Sequence, residues 1–140
     1  MMETAGYSGT PLAKKLGFKN GSKIRLVNIP NYYLNLFTDL PSDLSVIEDL
    51  TVKKDLIHYF TTSAVELERD IIPLKNEIQS NGMIWVSWPK KSSRVPTDIT
   101  EDTIRNLALA NGLVDVKVCA VDQVWSGLKL VIPVKFRSAD

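Results

Sequence analysis

The chain has 140 residues, 44% of them hydrophobic, and its 17 basic and 16 acidic side chains leave a formal charge of +1. That length makes one domain (1–140, with a flexible segment expected at 1–9) able to bury about 68% of its unfolded surface, and leaves no room for a second. The charge balance argues against a general attraction to nucleic acid or anionic lipid, so any such contact has to be local. Cys119 and His58 are the single cysteine and histidine, which excludes an internal disulfide and leaves too few soft ligands for zinc; no metal is expected. No apolar run approaches the ~20 residues of a membrane span and the first residues lack a signal-peptide pattern, so the expectation is a cytoplasmic protein.

From the amino end, Gly6-Tyr7-Ser8-Gly9 reads as flexible, with Tyr7 packing at a core edge or over a cleft. Thr10 is placed to cap a short helix that has Pro11 in its first turn, Leu12 and Leu16 one turn apart, and Gly17 at its stop. Asn20-Gly21 predicts a turn, and Ile24 to Ile29 a mostly apolar strand ended by Pro30. Asn31 to Phe37 predicts a short helix with Tyr33, Leu36 and Phe37 on one face. Strands follow over Leu44–Asp49 and Asp55–Phe60.

Ser63 and Glu66 form a capping-box pattern, and Leu67, Ile71, Leu74 and Ile78 recur at helical spacing, predicting a helix over 63–79 that Pro73 kinks or splits near Ile72. Asn81-Gly82 is read as its end, and Met83–Ser87 as a fourth strand too apolar to be exposed on either face. Asp98 with Glu101, or Thr100, caps the next helix, which turns Ile104, Leu107 and Ala108 inward and stops at Asn111-Gly112. The last segment predicts an antiparallel hairpin, residues 116–121 and Leu128–Ile132, turning at Ser126-Gly127. The order of elements specifies an α/β fold: a three-layer, Rossmann-like, mostly parallel sheet of about six strands with a C-terminal antiparallel hairpin.

Functional residues are best sought in Trp88-Pro89-Lys90-Lys91-Ser92-Ser93-Arg94-Val95-Pro96-Thr97, a cationic loop between prolines at the edge where open α/β sheets hold ligands. Lys90, Lys91 and Arg94 suit a phosphate or carboxylate, with Ser92, Ser93 and Thr97 as hydroxyl donors and Trp88, Asn28 and Tyr7 lining the same crevice. A solvated surface loop explains the same residues without a ligand. Cys119 reads as a buried structural thiol rather than a nucleophile activated by Lys117, His58 as a core residue rather than a general base, and Trp125 as edge packing. No catalytic residue is expected.

The element order, with Glu48 at the end of the second strand and a closing hairpin, resembles a shortened S-adenosylmethionine-dependent methyltransferase. Such enzymes hold the cofactor on a glycine-rich turn after the first strand; here that turn reads Val27-Asn28-Ile29-Pro30-Asn31-Tyr32, without glycine and with one donor deleted by Pro30. Under the resemblance Glu48 or Asp49 would be the ribose-binding acid. A second set of motifs, Ala5 to Gly17, Trp85 to Lys91, Val95 to Asp98, and Gly112 to Leu128, is similar to a bacterial family known as domain of unknown function 3052, which implies no activity or cofactor. The expectation is a non-catalytic binder, with no cofactor, of a small anionic ligand or a protein partner, including a second copy of the chain; nucleic acid and membranes are disfavoured. The alternatives are a methyltransferase with an atypical cofactor site built from Asn28, Glu48 and the Trp88 loop, and a scaffold pairing through the aromatic hairpin.

Overall fold

A computed structural model describes residues 10–138; Tyr7 and the rest of 1–9 lie outside the described residues. Six strands form one sheet in the order β2-β1-β3-β4-β6-β5: β1 Lys23–Val27, β2 Ser45–Val46, β3 Lys54–Phe60, β4 Ile78–Pro89, β5 Val114–Ala120 and β6 Trp125–Val131. β1 to β4 are parallel, and β6 runs antiparallel to both β4 and β5. The α/β, mostly parallel architecture with its antiparallel hairpin is therefore the one the element order specifies.

Side chains on alternate faces build two cores. On one face Ile57, Tyr59, Ile84, Val86 and Leu128 meet Leu67, Ile71 and Leu74 of helix α2 (Ala64–Asn76) and Ile104 and Ala108 of α3 (Glu101–Ala110). On the other, Leu56 and Trp85 meet Leu12, Ala13 and Leu16 of α1 (Leu12–Leu16), together with Phe18, Cys119 and Val121. Trp85 is fully buried, and its indole donates at 2.7 Å to the Leu16 carbonyl, which the end of α1 leaves without a helical donor. That bond adds to the packing of Leu12, Ala13 and Leu16 in holding α1 on the sheet.

Local signals and tertiary demands part at several places. Gly17 ends α1 in the left-handed region (φ 95°), but the residue before the helix is Pro11, with no side-chain cap, so Thr10 does not take that role. The connection after β1 is a single 3-10 turn, Tyr33–Leu36, and not an α-helix. Ser63 accepts from the Glu66 amide, yet the Glu66 carboxylate accepts from Thr61 and leaves the box half made. α2 runs unsplit through Pro73 because the proline sits in the last turn, exposed, where only one interior bond is lost. The helix ends at Asn76, and Asn81-Gly82 lies inside β4, where the register with β3 shifts; a Cβ on Gly82 would stand 2.9 Å from the Lys54 carbonyl. Ser126-Gly127 likewise lies inside β6. Gly127 is needed there because a Cβ would stand 3.1 Å from Trp85 Cε3, and the chain turns earlier, at 121–124. Thr100 and Thr103 cap α3 reciprocally, while Asp98 accepts from the Ala64 amide across the loop. In β5, Val116 and Val118 are exposed and Cys119 is buried.

Ionic groups tie the amino ends of the strands. Lys54 is fully buried with its ammonium 2.8 Å from Glu77 Oε1, an ion pair whose angle makes no hydrogen bond, while Arg25 donates to Glu77 Oε2 at 2.7 Å. The Lys54 ammonium donates to the Asp49 carbonyl. Glu77→Ala would strand one buried cation and loosen a second, so a loss of about 3–5 kcal/mol is expected in a denaturant-unfolding measurement. Gly127→Ala is expected to cost about 1–3 kcal/mol by crowding Trp85, read as a lower melting temperature with an altered indole emission.

Candidate functional site

The carboxyl ends of β1, β3 and β4 open onto one edge, and Asn28 begins it. Asn28 holds φ 58°, a left-handed conformation that asparagine tolerates better than most side chains. Its amide donates to the Phe60 carbonyl at 3.2 Å, lacing the ends of β1 and β3 together. The following turn carries adjacent tyrosines with opposite tasks. Tyr32 reaches outward and donates at 2.8 Å to Asp122 in the β5–β6 turn, a bond that spans the ends of the strands between; burial, then Asp122, pushes its hydroxyl up to about 12. Tyr33 points inward, 1% exposed, its hydroxyl 2.8 Å from His58 Nδ1.

His58 continues that chain, with Nε2 2.8 Å from Ser87 Oγ. A neutral imidazole needs one donor and one acceptor, and the two flanking hydroxyls supply either arrangement. Complete burial lowers the imidazole pKa to about 3, so the ring is neutral and satisfied on both nitrogens. It has no free lone pair with which to act as a base. Around it Phe37 stacks on Phe18 and meets Tyr33 edge-on, and Phe60 meets Tyr33 and Trp125 edge-on at 5.7 and 5.0 Å. The space over the β1 turn is thus filled by the protein's own aromatic side chains.

The loop after β4 leaves the same edge. Lys90 donates its amide to the Val124 carbonyl, and Lys91–Ser93 make a 3-10 turn closed by Arg94 in the left-handed region, φ 61°. Ser93 donates to the Lys90 carbonyl and accepts from the Val95 amide, and Thr97 donates to the Thr62 carbonyl, so both hydroxyls serve the loop's own shape. Lys91, Ser92 and Arg94 are exposed, without a carboxylate partner among the described residues. Trp88 belongs to the core beneath α2 and α3. Glu48, its side chain 71% exposed, lies 3.6 Å from Arg25.

Cys119 is 5% exposed and donates to the Ala120 carbonyl; burial raises its pKa above the ordinary thiol value, against opposing pulls from Lys15, Lys117 and Lys90. It is a packed thiol. The sequence reading did not find the Tyr33-His58-Ser87 chain or the Tyr32–Asp122 bond, because each joins residues more than twenty positions apart, and only the Tyr32-Tyr33 pair hinted at them.

No family model matches the chain, and no curated protein matches it. Solved structures do. A S-adenosylmethionine-dependent methyltransferase from Aquifex aeolicus superposes with a TM-score of 0.60 at 14% identity, covering 86% of this chain and 87% of that one. An O-methyltransferase of neocarzinostatin biosynthesis, solved with S-adenosylmethionine, gives 0.60 at 9% identity over 87% of this chain and 53% of its own. Magnesium protoporphyrin IX methyltransferase from Synechocystis, with bound S-adenosylmethionine, gives 0.52 at 11% over 86% and 74%. These likenesses establish a methyltransferase-like, Rossmann-like fold for this chain.

The neutral His58 has a measurable consequence. Its folded pKa lies below the unfolded value near 6.5, so below that value the unfolded chain binds the extra proton and stability falls with pH at up to about 1.4 kcal/mol per unit. Between pH 6.5 and 5, above most carboxylate titrations, the denaturant midpoint is expected to drop in the native protein and to flatten in His58→Gln.

Proposed function

We propose that this chain is a non-catalytic binding domain on a methyltransferase-like fold, taking a small anionic ligand at the loop from Lys90 to Arg94. The observation that carries the non-catalytic part is the turn after β1: it has no glycine, Pro30 lacks a donor, and Tyr32 and Tyr33 are tied across the carboxyl edge to Asp122 and His58. A cofactor that must lie close against that backbone meets side chains instead. What supports the anion is the charge of Lys91 and Arg94, exposed on the edge shared with Asn28, and a loop whose own hydroxyl bonds hold its shape. Placement in the bacterial family known as domain of unknown function 3052 belongs to the same proposal and rests on the motifs given above; placement in the cytoplasm belongs to it too and rests on the apolar pattern of the sequence. Among the described residues no helix is long and apolar enough to cross a membrane.

The second reading, a methyltransferase with an atypical cofactor site at Asn28, Glu48 and the loop, is favoured by the fold neighbours that bind S-adenosylmethionine. A third, a protein-interaction scaffold, is favoured by the exposed Leu34, Leu40, Val46 and Leu50, Val46 lying in the short edge strand β2. Calorimetric titration separates them. S-adenosylmethionine is expected to give no affinity at the micromolar level or tighter, since each unmet buried polar contact costs about 1–3 kcal/mol; such an affinity would establish the enzyme reading. Lys91→Ala/Arg94→Ala is expected to fold normally and lose a small-anion response at the loop amides in a nuclear magnetic resonance titration. An unchanged response there would remove the loop as a ligand site.

A further inference from the structure

The dipeptide Asn-Gly occurs three times in this chain, at Asn20-Gly21, Asn81-Gly82 and Asn111-Gly112. In such a pair the backbone nitrogen of the glycine can attack the side-chain amide before it, because glycine has no Cβ to block the approach and turns freely. The attack needs an untied side chain, a backbone nitrogen without a partner, and freedom to bring the two together. The three copies meet those needs very differently.

Asn20 and Gly21 are both exposed and stand at the two middle positions of the turn between α1 and β1. Ser22 closes that turn twice: its amide donates to the Lys19 carbonyl at 3.0 Å, and its hydroxyl accepts from the Lys19 amide at 3.1 Å. Among the described residues neither the Asn20 side chain nor the Gly21 amide has a hydrogen-bond partner. Gly21 holds φ 80°, and no atom lies within 4 Å of where its Cβ would stand. Asn111, in contrast, donates its side-chain amide to the Leu107 carbonyl at 2.8 Å, and the Gly112 amide is directed at the Leu109 carbonyl at 3.5 Å. Gly82 is buried within β4, where a Cβ would stand 2.9 Å from the Lys54 carbonyl and 3.1 Å from the Gln79 backbone. Its nitrogen cannot swing toward the Asn81 side chain without moving the strand.

We propose that Asn20 is a site of spontaneous covalent modification, cyclising onto Gly21 and reopening as an aspartyl or isoaspartyl residue, while Asn81 and Asn111 stay intact in the folded protein. The Gly21 nitrogen gives up its proton and bonds to Asn20 Cγ, the Cγ–Nδ2 bond breaks, and ammonia leaves with the proton. Water then opens the cyclic imide. Attack at Cγ restores the ordinary backbone with an aspartate side chain; attack at the main-chain carbonyl carbon leaves Gly21 joined through Cγ, with an extra methylene in the backbone. Nothing is oxidised or reduced, and either product carries a new carboxylate that takes the formal charge from +1 to zero. The isoaspartyl form also strains the edge of the sheet, because the Ser22 carbonyl accepts from the Ser45 amide at 2.9 Å, where β2 begins to pair with β1, and a longer turn pulls on that bond. Asn20 precedes β1, at the opposite end of the strand from Asn28, so the modification is independent of any ligand at the carboxyl edge.

The test is to hold the folded chain at mildly alkaline pH, follow acidic species by ion exchange, and place each change by peptide mapping with mass spectrometry. Asn20 is expected to convert at least about tenfold faster than Asn81 or Asn111, since poor alignment of the reacting atoms alone costs that much. In denaturant the three pairs are expected to react at similar rates. Asn20→Gln, at an exposed turn position, is expected to keep the fold and to lose the fast acidic species. Conversion of Asn81 or Asn111 ahead of Asn20, or an Asn20 that survives in the folded chain as long as they do, would overturn the proposal. So would a preference for Asn20 that persists undiminished in denaturant, because the neighbouring residues and not the turn would then set it. Should the glutamine variant misfold, the rates at the three sites of the native chain decide alone.

Discussion

The buried chain of hydrogen bonds from Tyr33 through His58 to Ser87 is the constraint on which the carboxyl edge depends. His58 sits in the middle of the central strand β3 with no access to water, and an imidazole there is tolerable only if both nitrogens are met. Ser87 on β4 meets one. Tyr33 meets the other, and to do so residues 30–36 must fold back over the sheet rather than stand away from it. The rest follows in sequence: Tyr32 is carried to Asp122 and Phe37 to Phe18, so that the turn after β1 is packed against the sheet by aromatic side chains. Breaking one bond in this chain would strand two polar groups, so the covering is held far more firmly than its short 3-10 turn could manage alone.

A fold like that of methyltransferases leaves open what the carboxyl edge does, because a fold is set by layers and core while activity is set by a few side chains at one edge. Here Ile57, Ile84, Val86 and Leu128 belong to the core under the helices, and Asn28, Tyr32 and Tyr33 to the carboxyl edge.

How much of this was legible in the sequence depended on whether a signal was local. Gly17, Ser63 and Thr100 mark real helix ends because a cap is made by residues within one turn of it. The element order fixed the sheet for the same reason. Asn81-Gly82 and Ser126-Gly127 look like turns and are strand interiors, since each glycine answers to a distant neighbour: the Lys54 carbonyl for Gly82, the Trp85 ring for Gly127. Pro73 signals a kink or a split in α2, and the helix is not split, because a proline in the last turn takes away little that the helix was not about to lose. The cationic loop was visible as a run of letters.

Asp98 also connects parts of the molecule that the sheet leaves independent. By accepting from the Ala64 amide, while the neighbouring Thr97 hydroxyl holds the Thr62 carbonyl, it makes the loop after β4 supply the first-turn acceptor of α2. Opening that loop would therefore fray the helix, and the two should exchange their amide protons with solvent as one cooperative unit. A ligand that stilled the loop would slow exchange at the start of α2 without touching it, giving the helix a part in reporting events at the opposite side of the turn.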